Sequence, residues 1–106
     1  MSSFERVKAF LEQLKEENIH FKEHFYERIT ERQISKELVL KYIKQTPELL
    51  KVEDQPARNP NEEKYKIWIK LSNRYSLVLI IAISEKDLYI ITGWNTDRKW
   101  QKSIQK

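Results

Sequence analysis

The hydrophobic period of this chain changes once, near Pro47, and that change constrains the fold more than any other feature. Before Pro47, apolar residues recur every three or four positions, as in an α-helix with one buried face. After Pro47, they alternate with polar residues, as in a β-strand. Helices followed by strands predict an α+β fold, in which N-terminal helices pack on one face of an antiparallel β-sheet of three to four strands.

Three helical segments are predicted before the change of period. Ser2 and Glu5 match a capping box at the start of the first segment. The second segment carries the motif described below and is predicted to end near Gln33. Ser35 is a good N-cap for the third segment, which Pro47 closes because a proline disfavours helical geometry in the residue before it.

The strands are predicted from alternation and from the turns between them. Tyr75 to Ile83 is apolar on both faces, so it should be the central strand, with Leu77, Leu79 and Ile81 buried. Gly93, the single glycine, is predicted to end the last strand. The other predicted extended segments are 19–21, which is brief, 49–53 at a sheet edge, 65–71 and 88–92.

Composition bounds the class of protein. At 106 residues the chain is one domain with a single core, and it contains no cysteine for a disulfide or a thiolate metal site. Its N-terminus lacks the basic start and apolar centre of a signal peptide. The longest apolar run, Leu77 to Ile83, is far shorter than the ~20 residues that a membrane span needs. We therefore expect a soluble cytoplasmic protein without membrane contact.

The second predicted helix carries a row of three candidate catalytic side chains. His24, Arg28 and Arg32 recur every four residues, so they would line one edge of the helix. Guanidinium groups bind phosphate, and an imidazole can act as a general acid or base near neutral pH. The alternative is a structural network in which the arginines pair with acids such as Glu27 and Glu31.

The pattern Phe21-x-x-His24-x-x-x-Arg28-x-x-Glu31-Arg32-x-Ile34-Ser35, followed by a helix, a Pro-Glu and strands, resembles a family of small prokaryotic domains. That family is grouped with the RelE/ParE-like toxin superfamily, and the resemblance covers residues 21–94. It implies a compact α+β fold, with RNA cleavage or target inhibition by a toxin that a cognate antitoxin neutralises. On this resemblance the domain divides into a helical extension (1–18), a RelE-like core (19–94) and a basic tail (95–106).

A second group of candidates lies on the predicted strands and the tail, and the chain as a whole is basic, with a net charge of +4. Cations that contact phosphates and rings that stack on bases are typical of nucleic-acid binding. The resemblance implies a similar use of basic and aromatic residues on the sheet. The alternative is a solvated strand edge guarded by lysines, with the tryptophans packed on the sheet. The nucleic-acid-binding candidates are Lys64, Lys66, Lys70, Arg74, Trp94 and Arg98.

His20 and His24 are four residues apart, as in a helical metal half-site. The chain has no further histidine and no cysteine, so only carboxylates could complete the three or four ligands that zinc usually takes. We expect neither a metal nor a cofactor.

The leading hypothesis is a toxin-like domain of the toxin–antitoxin type that acts on RNA as a metal-free ribonuclease, with His24, Arg28 and Arg32 as catalytic residues. Its partners would be RNA and a cognate antitoxin. The alternative is a non-catalytic module that binds nucleic acid or an acidic protein. A third hypothesis is an inert member of the superfamily, held as a homodimer through the first helix.

Overall fold

The computed structural model describes residues 2–23, 25, 34–57 and 59–97. Helices α1 (Ser3–Gln13) and α2 (Lys36–Ile43) lie in this part of the chain, and short 3-10 turns lie at Glu16–Asn18 and Thr46–Glu48. The strands are β1 (Ile19–Phe21), β2 (Leu49–Gln55), β3 (Glu63–Lys70), β4 (Tyr75–Ser84) and β5 (Asp87–Asp97).

The five strands form one mixed sheet in the order β1-β5-β4-β3-β2. Strands β2 to β5 pair antiparallel in chain order, whereas β1 pairs in parallel with β5. The prediction of an antiparallel sheet of three to four strands is therefore wrong, although the chain is an α+β protein. Three residues are too few to give a periodic signal, so the sequence could not show that β1 joins the edge of β5.

Strand β4 is the central strand, which confirms the prediction for 75–83, and Leu77, Leu79 and Ile81 are fully buried. Strand β2 forms one edge of the sheet, as predicted for 49–53.

Strand β5 continues past Gly93 to Asp97, so the prediction that the glycine ends the last strand is wrong. A Cβ atom on Gly93 would lie 2.6 Å from Leu79 Cδ2 and 3.2 Å from Ile34 Cδ1. A glycine is needed here because core side chains approach the backbone closely, not because the chain turns.

Side-chain hydrogen bonds explain where the two helices begin. The Ser2 hydroxyl accepts a hydrogen bond of 3.2 Å from the Glu5 amide, and the Ser35 hydroxyl accepts one of 3.1 Å from the Leu38 amide. Each hydroxyl satisfies a backbone N–H of the first helical turn, which confirms both predicted N-caps.

One hydrophobic core lies between the helices and one face of the sheet. Alternate residues of each strand enter this core, so the intervening residues project from the opposite face. No helix in the described ranges is long and apolar enough to cross a membrane. The helical residues buried in the core are Val7, Leu11, Val39 and Ile43, joined by Leu14, Phe25 and Ile34.

Candidate nucleic-acid interface

The second sheet face, turned away from the helices, carries the predicted lysines of β3. Tyr65, Ile67 and Ile69 belong to the core, so the residues between and beside them project the other way. We call this surface the basic face. Its members are Lys51 on β2, Lys64, Lys66, Trp68 and Lys70 on β3, Tyr89 and Trp94 on β5, His20 on β1, and Lys22 directly after β1.

Two tryptophans flank Val78 at the centre of the basic face, because the register pairs Trp68 with Val78 and Val78 with Trp94. The Lys66 Nζ atom lies 5.0 Å from the centroid of the Trp68 ring and 5.4 Å from that of Trp94. The Lys51 Nζ atom lies 4.9 Å from the Trp68 ring. Cations within about 6 Å of a ring centroid are attracted to it, so these rings hold two ammonium groups in place.

The two tryptophan rings differ in their access to solvent. Trp68 is 8% exposed, whereas Trp94 and Lys66 are half-buried and Lys51 is exposed. Trp68 therefore acts as a platform beneath the lysines, and Trp94 is the ring that a ligand can reach beside a fixed cation.

A second cluster occupies the β1 end of the basic face. The rings of His20 and Tyr89 stack with their centroids 5.0 Å apart and an interplanar angle of 26°. The His20 Nε2 atom lies 3.1 Å from Asp87 Oδ1, which also accepts a hydrogen bond of 3.0 Å from Asn18 Nδ2. The hydrogen bonds from Asn18 and His20 hold the pKa of Asp87 below its ordinary value. The Lys22 Nζ atom lies 4.7 Å from the Tyr89 ring.

Positive charge dominates the described part of the basic face. Against its five lysines stand two carboxylates, Asp87 and Glu53, and Glu53 lies opposite Lys66 in the strand register and 3.7 Å from the Lys51 ammonium. Because the lysines outnumber the carboxylates, the described part of the face has a net positive charge, which suits an anionic ligand.

The predicted site residues fall in three places. Lys64, Lys66, Lys70 and Trp94 share the basic face. Arg74 lies in the turn between β3 and β4, with its guanidinium carbon 5.4 Å from the centroid of the Tyr75 ring. His24, Arg28, Arg32 and Arg98 lie outside the described residues.

His20 lies in strand β1, so the helical spacing that suggested a metal half-site does not apply to it. Within the described ranges, no group of three or more histidine, aspartate or glutamate side chains could hold a metal ion.

Sequence reasoning missed Lys51, Lys22 and the contact between His20 and Asp87. Lys51 could have been found from the alternation of β2. The last contact joins residues 67 positions apart, and it forms because the parallel pairing puts Ile19 opposite Leu88. No local pattern in the sequence signals such a contact.

The core side of the sheet carries a different polar network, which we call the α1 anchor. Arg6 donates to Glu63 through Nη2 at 2.8 Å and through Nε at 3.3 Å, and the Tyr65 hydroxyl donates to Glu63 Oε1 at 2.5 Å. The hydrogen bond from Arg6 lowers the pKa of Glu63, and burial raises the pKa of Tyr65 to about 12. These groups satisfy one another, so the network fixes α1 on β3.

A groove of about 430 Å³ lies between α1 and the turn that joins β4 to β5. Its charged lining residues are Arg6 and Lys86, which are positive, and Glu85, which is negative. The Arg6 guanidinium is already paired with Glu63. The groove therefore offers less charge selectivity than the basic face, which is the better candidate site.

A model of the family described as "Domain of unknown function (DUF4258)" matches residues 21–93. No curated protein and no solved structure matches the chain. The matched residues run from the end of β1 to Gly93 in β5, so they include the lysines of β2 and β3, whereas α1, His20 and Trp94 lie outside them.

Proposed function

The chain belongs to the family described as "Domain of unknown function (DUF4258)", and we propose that it binds single-stranded RNA on its basic face. The observation that carries the proposal is the position of Lys66, whose ammonium lies over the rings of both Trp68 and Trp94. A reachable ring beside a fixed cation suits an unpaired base stacked on the ring, with its phosphate against the ammonium.

A single strand fits this arrangement better than a duplex. In a duplex the base faces are already stacked on one another, so the half-buried Trp94 ring on a strand could not reach them. The lysines alone would contact duplex phosphates, but the aromatic rings would then contribute nothing to binding. The combination of ring and cation is what favours unpaired RNA.

The test is a titration of the whole chain with a single-stranded oligoribonucleotide at several salt concentrations. Binding is monitored by tryptophan fluorescence. Binding should weaken steeply as salt rises, because neutralised phosphates release counterions. Changing Lys66→Glu together with Lys70→Glu should abolish binding.

The matched control is Lys15→Glu together with Lys44→Glu, which makes the same change in net charge at exposed positions that follow α1 and α2. This control should bind RNA nearly as tightly as the unchanged protein. Equal affinities of the two double variants would remove the basic face from consideration.

A more specific proposal is that the chain cuts the bound RNA without a metal, as a toxin-like domain that a cognate antitoxin neutralises. Its support is the row of His24, Arg28 and Arg32 in the sequence, together with the imidazole–carboxylate pair on the basic face. Binding without cleavage would instead favour a non-catalytic binding module.

This second proposal is tested by expressing the chain in cells and measuring growth. His24→Ala and Arg28→Ala should remove growth inhibition and leave the melting temperature nearly unchanged. If each substitution instead lowers the melting temperature by several degrees while RNA binding per folded molecule is intact, the row is structural.

A further inference from the structure

The hydrogen bond between His20 and Asp87 determines which imidazole nitrogen carries the proton. Asp87 Oδ1 accepts hydrogen bonds from Asn18 and His20, and its pKa is lowered, so the carboxylate is the acceptor. The Nε2 atom of His20 must then carry the hydrogen, which leaves Nδ1 unprotonated in the neutral ring. The pair therefore presents a nitrogen that can take up a proton.

The imidazole of His20 is both held in place and accessible. Stacking on Tyr89 fixes the plane of the ring, and the carboxylate of Asp87 fixes its rotation within that plane. The His20 side chain is nevertheless 44% exposed, so a ligand on the basic face can reach it. General base catalysis needs a base that is held in position and within reach of the proton it removes. His20 provides such a base at the end of the cationic surface.

We propose that His20 is a catalytic general base for cleavage of RNA on the basic face, with Asp87 as its positioning residue. The inference rests on the proposed RNA binding. Nδ1 takes the proton of a ribose 2′-hydroxyl, and that oxygen forms a bond to the adjacent phosphorus. The bond from phosphorus to the 5′-oxygen breaks, and the leaving oxygen takes a proton from water. The resulting hydroxide recovers a proton from the imidazolium, so atoms and charge balance without an oxidant or a metal.

The products are a strand that ends in a 2′,3′-cyclic phosphate and a strand that begins with a 5′-hydroxyl. Negative charge grows on the phosphoryl oxygens during the step. Lys22, whose ammonium lies 4.7 Å from the Tyr89 ring, is the neighbouring cation that can stabilise it.

The positions of the two clusters set a minimum length for the substrate. Tyr89 and Trp94 pair with Ala82 and Val78 of β4, which are four residues apart, so the two rings are about 13 Å apart along the sheet at ~3.3 Å per residue. An RNA strand that stacks a base on Trp94 must therefore extend over several nucleotides to place a phosphate at His20. A dinucleotide should be a poor substrate.

The test measures binding and cleavage separately on one single-stranded oligoribonucleotide. The unchanged protein should cut it to the cyclic phosphate and 5′-hydroxyl products. His20→Ala should slow cleavage by about 100-fold or more, as expected for loss of a general base, with the affinity for RNA unchanged. If His20→Ala fails to fold, His20→Gln replaces it, because an amide of similar shape has no basic nitrogen.

The role of Asp87 has its own readout. Asp87→Asn presents an amide to Nε2 and favours the wrong tautomer, so it should lower kcat with little change in KM. Asp87→Glu should restore part of kcat, which a purely structural role would not predict. An oligomer of the same sequence with deoxyribose throughout should bind and stay intact, because it lacks the nucleophile.

The outcomes separate this inference from the proposed function. Failure of the unchanged protein to bind RNA would refute both. RNA that is bound but never cut, or cut at the normal rate by His20→Ala, would refute the role of His20 and leave RNA binding standing. The double variant Lys15→Glu with Lys44→Glu, purified in the same way, should cut normally and so controls for contaminating nucleases.

Discussion

Removing the hydroxyl of Tyr65 should destabilise the protein measurably without affecting the RNA binding proposed above. Tyr65 is 6% exposed, and its hydroxyl donates a hydrogen bond of 2.5 Å to Glu63. Hydrogen bonds to charged groups contribute about 1.5–3 kcal/mol. The Glu63 side chain is 42% exposed, so water can replace part of the lost bond. We therefore expect Tyr65→Phe to lower the free energy of unfolding by about 1–2 kcal/mol, or the melting temperature by roughly 5–15 °C.

The pH dependence of the stability difference between the unchanged protein and Tyr65→Phe is a stricter test. The pKa of Tyr65 is about 12 in the folded state, against an ordinary value of 10.0. Between these values the folded state keeps a proton that the unfolded state has lost, so stability is fully present below pH 10 and falls as the pH rises towards 12. The difference between the two pKa values corresponds to about 3 kcal/mol. The advantage of the unchanged protein over Tyr65→Phe should therefore shrink above pH 10 and reverse near pH 12.

The assay is urea unfolding of both proteins between pH 8 and pH 12, with near-ultraviolet absorbance of tyrosinate as an independent record of titration. Tyr75→Phe is the matched control, because Tyr75 is 43% exposed and lies outside the α1 anchor. A difference between Tyr65→Phe and the unchanged protein that stays constant across this range would refute the burial argument. RNA affinity per folded molecule should be equal for all three proteins.

Three further substitutions test other parts of the fold. Gly93→Ala forces a Cβ against Leu79, so it should lower the free energy of unfolding in urea by about 1–3 kcal/mol. Equal stability of the two proteins would show that the core side chains can move to accommodate the added methyl group. Ser35→Ala removes the N-cap of α2 and should cost about 1 kcal/mol, with a smaller helical signal in circular dichroism. Glu63→Gln should make the free energy of unfolding less dependent on pH in the acid range. The hydrogen bond from Arg6 lowers the pKa of Glu63, so its contribution is present above pH 4.5 and is lost as the pH falls through the folded-state pKa.

The parts of the fold that repeat a period over many residues could be predicted from the sequence. The apolar run of β4 shows its central position, and Ser35 marks the start of α2 through a local hydrogen bond. Strand β1 confirms the brief extended segment predicted at 19–21, but its parallel pairing with β5 gave no signal, because the strand is three residues long and its partner lies far along the chain. The extension of β5 was missed because a glycine commonly ends a strand, whereas Gly93 makes room for Leu79.

The candidate site also has parts that the sequence could predict and parts that it could not. Alternation along β3 was enough to place Lys64, Lys66 and Lys70 on one face. The approach of Lys66 to Trp94 depends on the register of three strands, and that register includes a shift between Ile80 and Ile81. A shift of this kind changes which residues of β5 share a face, and it is set by packing rather than by local sequence.

The burial of Trp68 decides which residues can report on function at the basic face. Trp68 is 8% exposed and packs beside the fully buried Val78, so Trp68→Ala would cost about 3–5 kcal/mol. A loss of RNA binding in that variant could not be separated from a loss of structure. Lys66 and Trp94 are half-buried, and the fold on the other side of the sheet depends on the core and on the α1 anchor. Because Lys66 is half-buried and lies on the face opposite the core, Lys66→Glu should change binding at a much smaller cost in stability than Trp68→Ala.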